Sequence, residues 1–305
     1  MKRKVIIVGL VLVLIIALMT FSSCASVGNK VAVISLNGPI TSSGSSFLFG
    51  QVINPDQVRE QLNRAERDAA VKAIVIRVES PGGTVAACQE ILNAMEKVTK
   101  PIVISMGETA ASGGYYISMK ADKIVALPGT LTGSIGVISQ IPNIQGLYDK
   151  LGIKIETFKG GKYKDMYGGT RELTPEEKQI MQEMTDLYYD QFVKVVAEGR
   201  NLDENRVREL ATGQLYPGTQ AKELGLVDEL GGLQAAIDSA ANLAGITAPA
   251  VEYYRPQPSS LLESLFGLNL AKWSSFLQLR ILGSEGVILY DMLNHPYPEP
   301  RYQLP

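Results

Sequence analysis

The sequence predicts an α/β fold, and three observations carry that prediction. Short β-branched runs at Val31–Leu36, Ala73–Val78 and Pro101–Met106 read as buried strands. Two of them lead into glycine turns, Ser80-Pro81-Gly82-Gly83-Thr84 and Ala110-Ala111-Ser112-Gly113-Gly114. Each turn opens onto a helix-like stretch. Strand–turn–helix units repeated in this way need crossovers between strands.

Size and composition fit one large domain or two ordinary ones, each able to bury a core, in 305 residues. Hydrophobic residues make up 46% and charged residues 20%, so the main body is globular. The net charge of -2 argues against a nucleic-acid partner. Two cysteines make no disulfide framework, and no metal-ligand spacing occurs, so neither a metal nor a cofactor is expected. Cys88 falls in a helical pattern and reads as a small core residue. The single histidine, His295, lies in a Pro-rich tail and reads as exposed. A nucleophile in this chain would therefore take its base from elsewhere, lysine being the main alternative.

In chain order, Lys2, Arg3 and Lys4 precede an uncharged apolar run, Val5 to Phe21. The run is long enough to span a bilayer, with the basic flank cytoplasmic and everything after it outside. Phe21-Ser22-Ser23-Cys24 loosely resembles a lipoprotein cleavage site, so the anchor is either an uncleaved helix or a lipid on Cys24. The first body strand, Val31–Leu36, leads to a Gly/Ser-rich loop from Thr41 to Gly50. Asn54-Pro55 marks a helix start, with Val58, Leu62 and Ala65 on its apolar face. After the second strand and its turn, Val85, Cys88, Ile91, Leu92, Met95 and Val98 recur at helical spacing.

The third unit holds the feature with most chemistry in it. A serine at a strand-to-helix turn can be lifted out of the sheet, and the Gly113 N–H then points where negative charge is favoured. Nucleophile and half an oxyanion hole would sit on adjacent residues. A glycine of the Pro81-Gly82-Gly83 turn could complete the hole. A plain small-residue turn would carry the same letters.

A short strand, Lys123–Leu127, leads to Gly129-Thr130-Leu131-Thr132-Gly133-Ser134-Ile135-Gly136-Val137, where a hydroxyl can bond a lysine amine or local backbone. Lys159, Lys162 and Lys164 are candidate bases in one basic loop. Thr174-Pro175-Glu176-Glu177 is a capping box opening a long helix, with Ile180, Met181, Met184, Leu187, Tyr188, Phe192, Val195 and Val196 inward. Asp203 caps a shorter helix, another starts at Thr219, and a last core helix covers Leu233 to Ala244. Beyond Gly245 lie a linker, a dense apolar set from Leu261 to Leu277 and a Pro-rich end. The expected divisions are a membrane anchor or signal segment over 1–27, a catalytic body over 28–245 and a helical extension with tail over 246–305, serving assembly.

These residues, taken together and in this order, resemble the short bacterial form of the signal peptide peptidase A family, peptidase family S49, within the ClpP/crotonase-like superfamily. The resemblance covers about Val31 to Ala244 plus the anchor. It rests on Ser80-Pro81-Gly82-Gly83, on Met106-Gly107 through Ala111-Ser112-Gly113-Gly114-Tyr115-Tyr116-Ile117, and on Leu131-Thr132-Gly133-Ser134-Ile135-Gly136-Val137. Lys164-Asp165 and the closing stretch Gly218 to Asp228 complete it.

The resemblance implies a serine endopeptidase with a Ser-Lys dyad that degrades cleaved signal peptides. Ser112 would be the nucleophile and Lys164 the general base. Gly83 and Gly113 would donate to the oxyanion, and Ser134 would orient the lysine amine. It further implies attachment to the bacterial cytoplasmic membrane, a catalytic body outside the cytoplasm, and a homo-oligomer whose sites are shared between subunits. Signal peptides, other apolar peptides and membrane lipid would be its partners. Lysine has an ordinary pKa of roughly 10.4, and desolvation lowers such a value by up to roughly 3–5 units. The dyad therefore requires Lys164 to lose water on assembly or substrate binding.

Three other readings predict different behaviour. A membrane serine protease of the same superfamily would cut stomatin-like membrane proteins. A crotonase-like acyl-CoA enzyme would use the glycine turns without Ser112 or Lys164. A non-catalytic scaffold would leave Ser112 unlabelled by serine-reactive probes.

Overall fold

The computed structural model describes residues 28–42 and 51–255. The apolar N-terminal run with Cys24, most of the Gly/Ser loop, the apolar set from Leu261, His295 and the tail lie outside the described residues. Two compact units divide the described chain. The first comprises 28–42, 51–135 and 195–255, and the second 136–194.

The first unit carries the sheet. β1 (Lys30–Asn37) is followed by α1 (Pro55–Arg67). Asn54 caps α1, its Oδ1 accepting from the Asp56 N–H at 2.9 Å, and Pro55 fills a position that needs no donor. Val58, Leu62 and Ala65 are buried, as their spacing predicts. β2 (Val71–Ser80) leads to α2 (Val85–Met95), which buries Cys88, Ile91, Leu92 and Met95. Val98 falls beyond the end of α2. β3 (Ile102–Ala111) leads to α3 (Gly113–Ile117) and a 3-10 turn, Ser118–Lys120. Two short strands follow, β4 (Lys123–Ala126) and β5 (Leu131–Gly133). After the second unit come α6 (Glu204–Leu210), β6 (Leu215–Pro217), α7 (Gly218–Glu223), β7 (Glu229–Leu230), α8 (Leu233–Leu243) and β8 (Ala250–Tyr254).

The strands pair in the order β6-β5-β3-β2-β1-β8, with β4 joining β3 to β7. Every pairing is parallel except β5 with β6. Val31, Val33, Ala73, Val75, Val103 and Val125 line one face at period two, under Ala236, Ile237, Ala240 and Ala241 of α8. The alternate residues Ala32, Ile34, Ile74, Ile76 and Ile104 are equally buried. Burial on both faces is what makes these strands continuous apolar runs, each large side chain contributing about 1.5–3 kcal/mol.

β3 departs from the sequence reading in a way that matters for the site. It runs on through Ala111 instead of ending at Met106. Its first half pairs with β4 and its second half with β5. Between Val78↔Met106 and Ser80↔Ala110, β2 advances two residues while β3 advances four. β8 is a strand that the sequence did not announce. It adds to β1 at the sheet edge, and Gln61 Nε2 donates to the Tyr254 carbonyl at 2.6 Å.

The second unit contains α4 (Gln145–Lys150) and most of α5 (Pro175–Arg200), whose last residues belong to the first unit. The capping box forms as expected, with Thr174 N–H donating to Glu177 Oε2 at 2.9 Å and Glu177 N–H to Thr174 Oγ1 at 3.2 Å. Phe192 and Val196 of α5 are buried. Leu187, expected inward, is 57% exposed, while Ile180, Met181, Met184 and Tyr188 are half-buried. Ile138, Leu147, Leu151, Ile153, Ile155 and Phe158 of this unit are exposed as well.

Candidate active site

Ser112 lies between β3 and α3 with φ 51° and ψ -118°. A residue with a Cβ rarely adopts such a conformation, which costs about 1–3 kcal/mol and persists only where its surroundings enforce it. The enforcement is visible. Ser112 N–H donates to the Gly133 carbonyl at 2.9 Å, and Tyr116 N–H donates to the Ser112 carbonyl at 2.8 Å. Tyr115 is buried next door and its hydroxyl donates to the Leu226 carbonyl at 2.8 Å. The Ser112 side chain is half-buried, and among the described residues its hydroxyl has no partner.

The Gly82-Gly83 turn meets this serine. A Cβ on Gly82 would lie 2.9 Å from the Gly113 nitrogen and 3.2 Å from Ser112 Oγ. Gly82 has φ +118° and Gly83 packs on backbone, where a Cβ would fall 1.9 Å from the Ile40 carbonyl oxygen. Both positions therefore require glycine, for different reasons. Among the described residues neither the Gly83 nor the Gly113 N–H has a hydrogen-bond partner. The structure thus brings together Ser112, Gly113 and Gly83, with two free backbone donors beside one free hydroxyl. That arrangement can stabilise negative charge on an oxygen attached to a carbon that the serine attacks.

Cys88 packs behind the turn. Its Sγ lies 2.6 Å from where a Gly113 Cβ would be, and burial pushes its thiol up to about 12. It is a packing residue, as its helical spacing predicts.

The Thr130-to-Ser134 stretch sorts its own hydroxyls. Thr130 Oγ1 donates to the Gly107 carbonyl at 2.6 Å and Thr132 Oγ1 to the Ala110 carbonyl at 2.7 Å. Both satisfy backbone. Ser134 follows Gly133, the residue that receives the Ser112 N–H. It has φ 49°, and its own N–H donates to the Gln214 carbonyl at 2.9 Å. Its hydroxyl has no partner among the described residues. Ser112 and Ser134 are two of the four non-glycine residues with positive φ in the described chain, so backbone strain concentrates here.

Lys164 belongs to the second unit and is exposed. Its two neighbouring candidates are occupied. Lys159 Nζ pairs with Asp165 Oδ1 at 2.6 Å, and Lys162 pairs with Glu176. The Glu176 carboxylate and the Tyr163 hydroxyl raise Lys162 above the usual lysine value. Among the described residues the Lys164 ammonium has no ion-pair partner. The loop itself is pinned by Arg171. Its guanidinium reaches both oxygens of Asp165, at 2.9 and 2.7 Å, and both oxygens of Glu177, at 2.8 and 2.6 Å. Arg171 first, then Lys159, holds Asp165 far below the carboxylate range, and Arg171 with the Thr174 N–H brings Glu177 down to about 2.

Sequence reasoning missed Glu79 and Arg171. The alternation Arg77-Val78-Glu79 at the end of a buried strand signals polar side chains on one face. Only the tertiary structure shows what they reach.

Comparison with known proteins places the chain among peptidases. The family model of Peptidase family S49 matches residues 94–247, about half of the chain, and that of Clp protease matches residues 42–132. An Enterococcus faecium protein, provisionally named signal peptide peptidase SppA, is 40% identical over 279 residues, covering 90% of this chain and 80% of that protein. Protease 4 of Salmonella typhi is 38% identical over 240 residues, covering 78% of this chain and 38% of that protein. Serine protease SPPA, chloroplastic, of Arabidopsis thaliana is 35% identical over 241 residues, covering 77% of this chain and 35% of that protein.

Proposed function

The chain belongs to peptidase family S49 and is a serine-type peptidase, and on that premise we propose that it cuts apolar peptides, cleaved signal peptides among them, with a Ser112–Lys164 dyad. The observation that carries the reading is the strained Ser112 beside the free N–H groups of Gly83 and Gly113.

In the proposed reaction, Ser112 Oγ attacks the scissile carbonyl carbon and passes its proton to neutral Lys164 Nζ. The carbonyl oxygen takes up the negative charge and is held by the Gly83 and Gly113 donors. Collapse breaks the C–N bond, and the lysine ammonium returns the proton to the departing amine. Water then attacks the acyl-serine, again giving its proton to Lys164, and the released Ser112 oxygen recovers it. Ser134 orients the lysine through its unoccupied hydroxyl.

Two occupied neighbours support Lys164 as the base: Lys159 is paired with Asp165, and the Glu176 carboxylate raises Lys162 above the usual lysine value. Its exposure supports a site completed by a further surface. The exposed apolar side chains of the second unit favour a homo-oligomer, with sites shared between subunits. Membrane attachment, through the apolar run or through Cys24, and a catalytic body facing outward rest on the N-terminal sequence.

The test is peptidase turnover by the full chain on an apolar signal-peptide-like substrate, followed against pH. Loss of turnover in both Ser112→Ala and Lys164→Ala, with wild-type activity rising as one group loses its proton, is the expected result. Retained turnover in Lys164→Ala would move the base to Lys159 or Lys162. Wild-type rates in both variants would remove the dyad altogether.

A further inference from the structure

The strand that presents Ser112 is forked, and one carboxylate sits in the fork. β3 leaves β4 after Ser105 and takes up β5 at Thr109. After Met106, the residues Gly107, Glu108 and Thr109 have no register partner on β2. Their backbone groups are met by side chains instead. Glu79 Oε2 accepts from the Glu108 N–H at 2.7 Å, and Glu79 Oε1 accepts from the Thr109 N–H at 2.8 Å. Thr130 Oγ1 donates to the Gly107 carbonyl. Arg77, two residues before Glu79 on the same strand, donates to the Met106 carbonyl at 2.9 Å. A Cβ on Gly107 would fall 1.8 Å from Glu79 Oε2, so this glycine makes room for the carboxylate.

We propose that Glu79 is a positioning residue for the nucleophile, its carboxylate holding the fork of β3 in the register that aims Ser112 at the Gly83 and Gly113 donors. The inference rests on the reading of Ser112 as nucleophile. The physical argument is one of bond supply. A bulge strands backbone donors that no neighbouring strand can receive. Two adjacent N–H groups pointing the same way need two acceptors, and one ionised carboxylate presents both in fixed geometry. Ser112 lies three residues beyond Thr109, with no loop between to absorb an error. A displacement of the fork is therefore passed to Ser112 Oγ, and about 1 Å there costs on the order of 10²-fold in rate. A glutamine keeps the shape but offers one acceptor, turning an NH2 group towards an N–H.

The experiment compares wild type, Ser112→Ala, Glu79→Gln and Glu66→Gln as full chains. Glu66 is the control, a carboxylate that receives the Thr99 hydroxyl and N–H elsewhere on the molecule. Turnover is referred to the fraction of protein that a fluorophosphonate probe titrates, and Tm is recorded in parallel. Glu79→Gln is expected to lose on the order of 10- to 100-fold in kcat, with KM within about twofold, and to react with the probe correspondingly slowly. Glu66→Gln keeps wild-type kcat whatever its Tm. A Glu79→Gln variant with lowered Tm but wild-type kcat overturns the inference, since that is what a purely structural carboxylate does. If Glu79→Gln does not fold, Glu79→Asp decides, as it keeps the charge and falls one methylene short of the fork. Wild-type kcat there is equally fatal. Turnover surviving in Ser112→Ala sinks the nucleophile reading itself. Its loss there alongside wild-type kcat in Glu79→Gln sinks this inference alone.

Discussion

The turn at Ser112 is made of buried backbone. Gly83 and Gly114 leave no room for a side chain beside carbonyl oxygens, the Thr130 and Thr132 hydroxyls are spent on strand carbonyls, and the conformation of Ser112 is strained. The turn at Lys164 is made of exposed side chains. Its neighbours are tied by ion pairs to the first turn of a helix, and its ammonium is in water. The two halves of the proposed dyad are thus prepared differently. Nucleophile and oxyanion donors are preorganised by packing within one unit. The loop that carries the lysine is held by ion pairs among its neighbours, and desolvation of the ammonium has to come from elsewhere.

The largest effect that can break this comparison is removal of either reacting group. Ser112→Ala and Lys164→Ala should each reduce turnover to background, measured on an apolar peptide. Next comes Gly83→Ala. Its methyl group meets the Ile40 carbonyl oxygen, so the donor shifts, and kcat should fall on the order of 10²–10³-fold. Packing also makes a prediction about stability. Ser112→Gly should be as inactive as Ser112→Ala yet more stable than it by about 1–3 kcal/mol in denaturant unfolding, because glycine accepts this backbone without strain. Equal stability would mean that the strain is not there.

On the electrostatic side the effects are smaller. Lys162→Ala, which removes a partner of Glu176 and not the proposed base, should leave kcat within about threefold of wild type, as exposed pairs contribute little. The Glu177 pair is tested by pH. Its folded value is depressed from 4.5 to about 2, so its contribution is full above 4.5 and is lost as pH falls towards 2. The Tm difference between wild type and Glu177→Gln should accordingly shrink over that window. A difference constant in pH would contradict the pairing with Arg171.

Local chemistry was legible in the sequence. Asn54-Pro55, the Thr174–Glu177 box and Asp203 start helices where they should, because caps depend on residues within three positions. The buried strands and α8 follow from period and composition alone. What could not be read depends on distant partners. β3 extends past Met106 because Glu79 and Thr130 satisfy a stretch that looks like a turn. β8 forms because β1 offers an edge, and its own five residues are mostly exposed. Leu187 keeps helical spacing and is still exposed, since period says which residues share a face and not whether anything covers it. At the site, the glycines and Ser112 stood out by type. Among Lys159, Lys162 and Lys164 the residue types are identical; the resemblance points to Lys164, and in the structure carboxylates reach the other two.

The most direct measurement is the rate at which a fluorophosphonate probe modifies Ser112, read by peptide mapping, in wild type, Lys164→Ala and Lys162→Ala. A nucleophile activated by Lys164 predicts the label on Ser112, slowed on the order of 10²-fold or more in Lys164→Ala and unchanged in Lys162→Ala. Label on another serine, or equal rates in wild type and Lys164→Ala, would contradict the account.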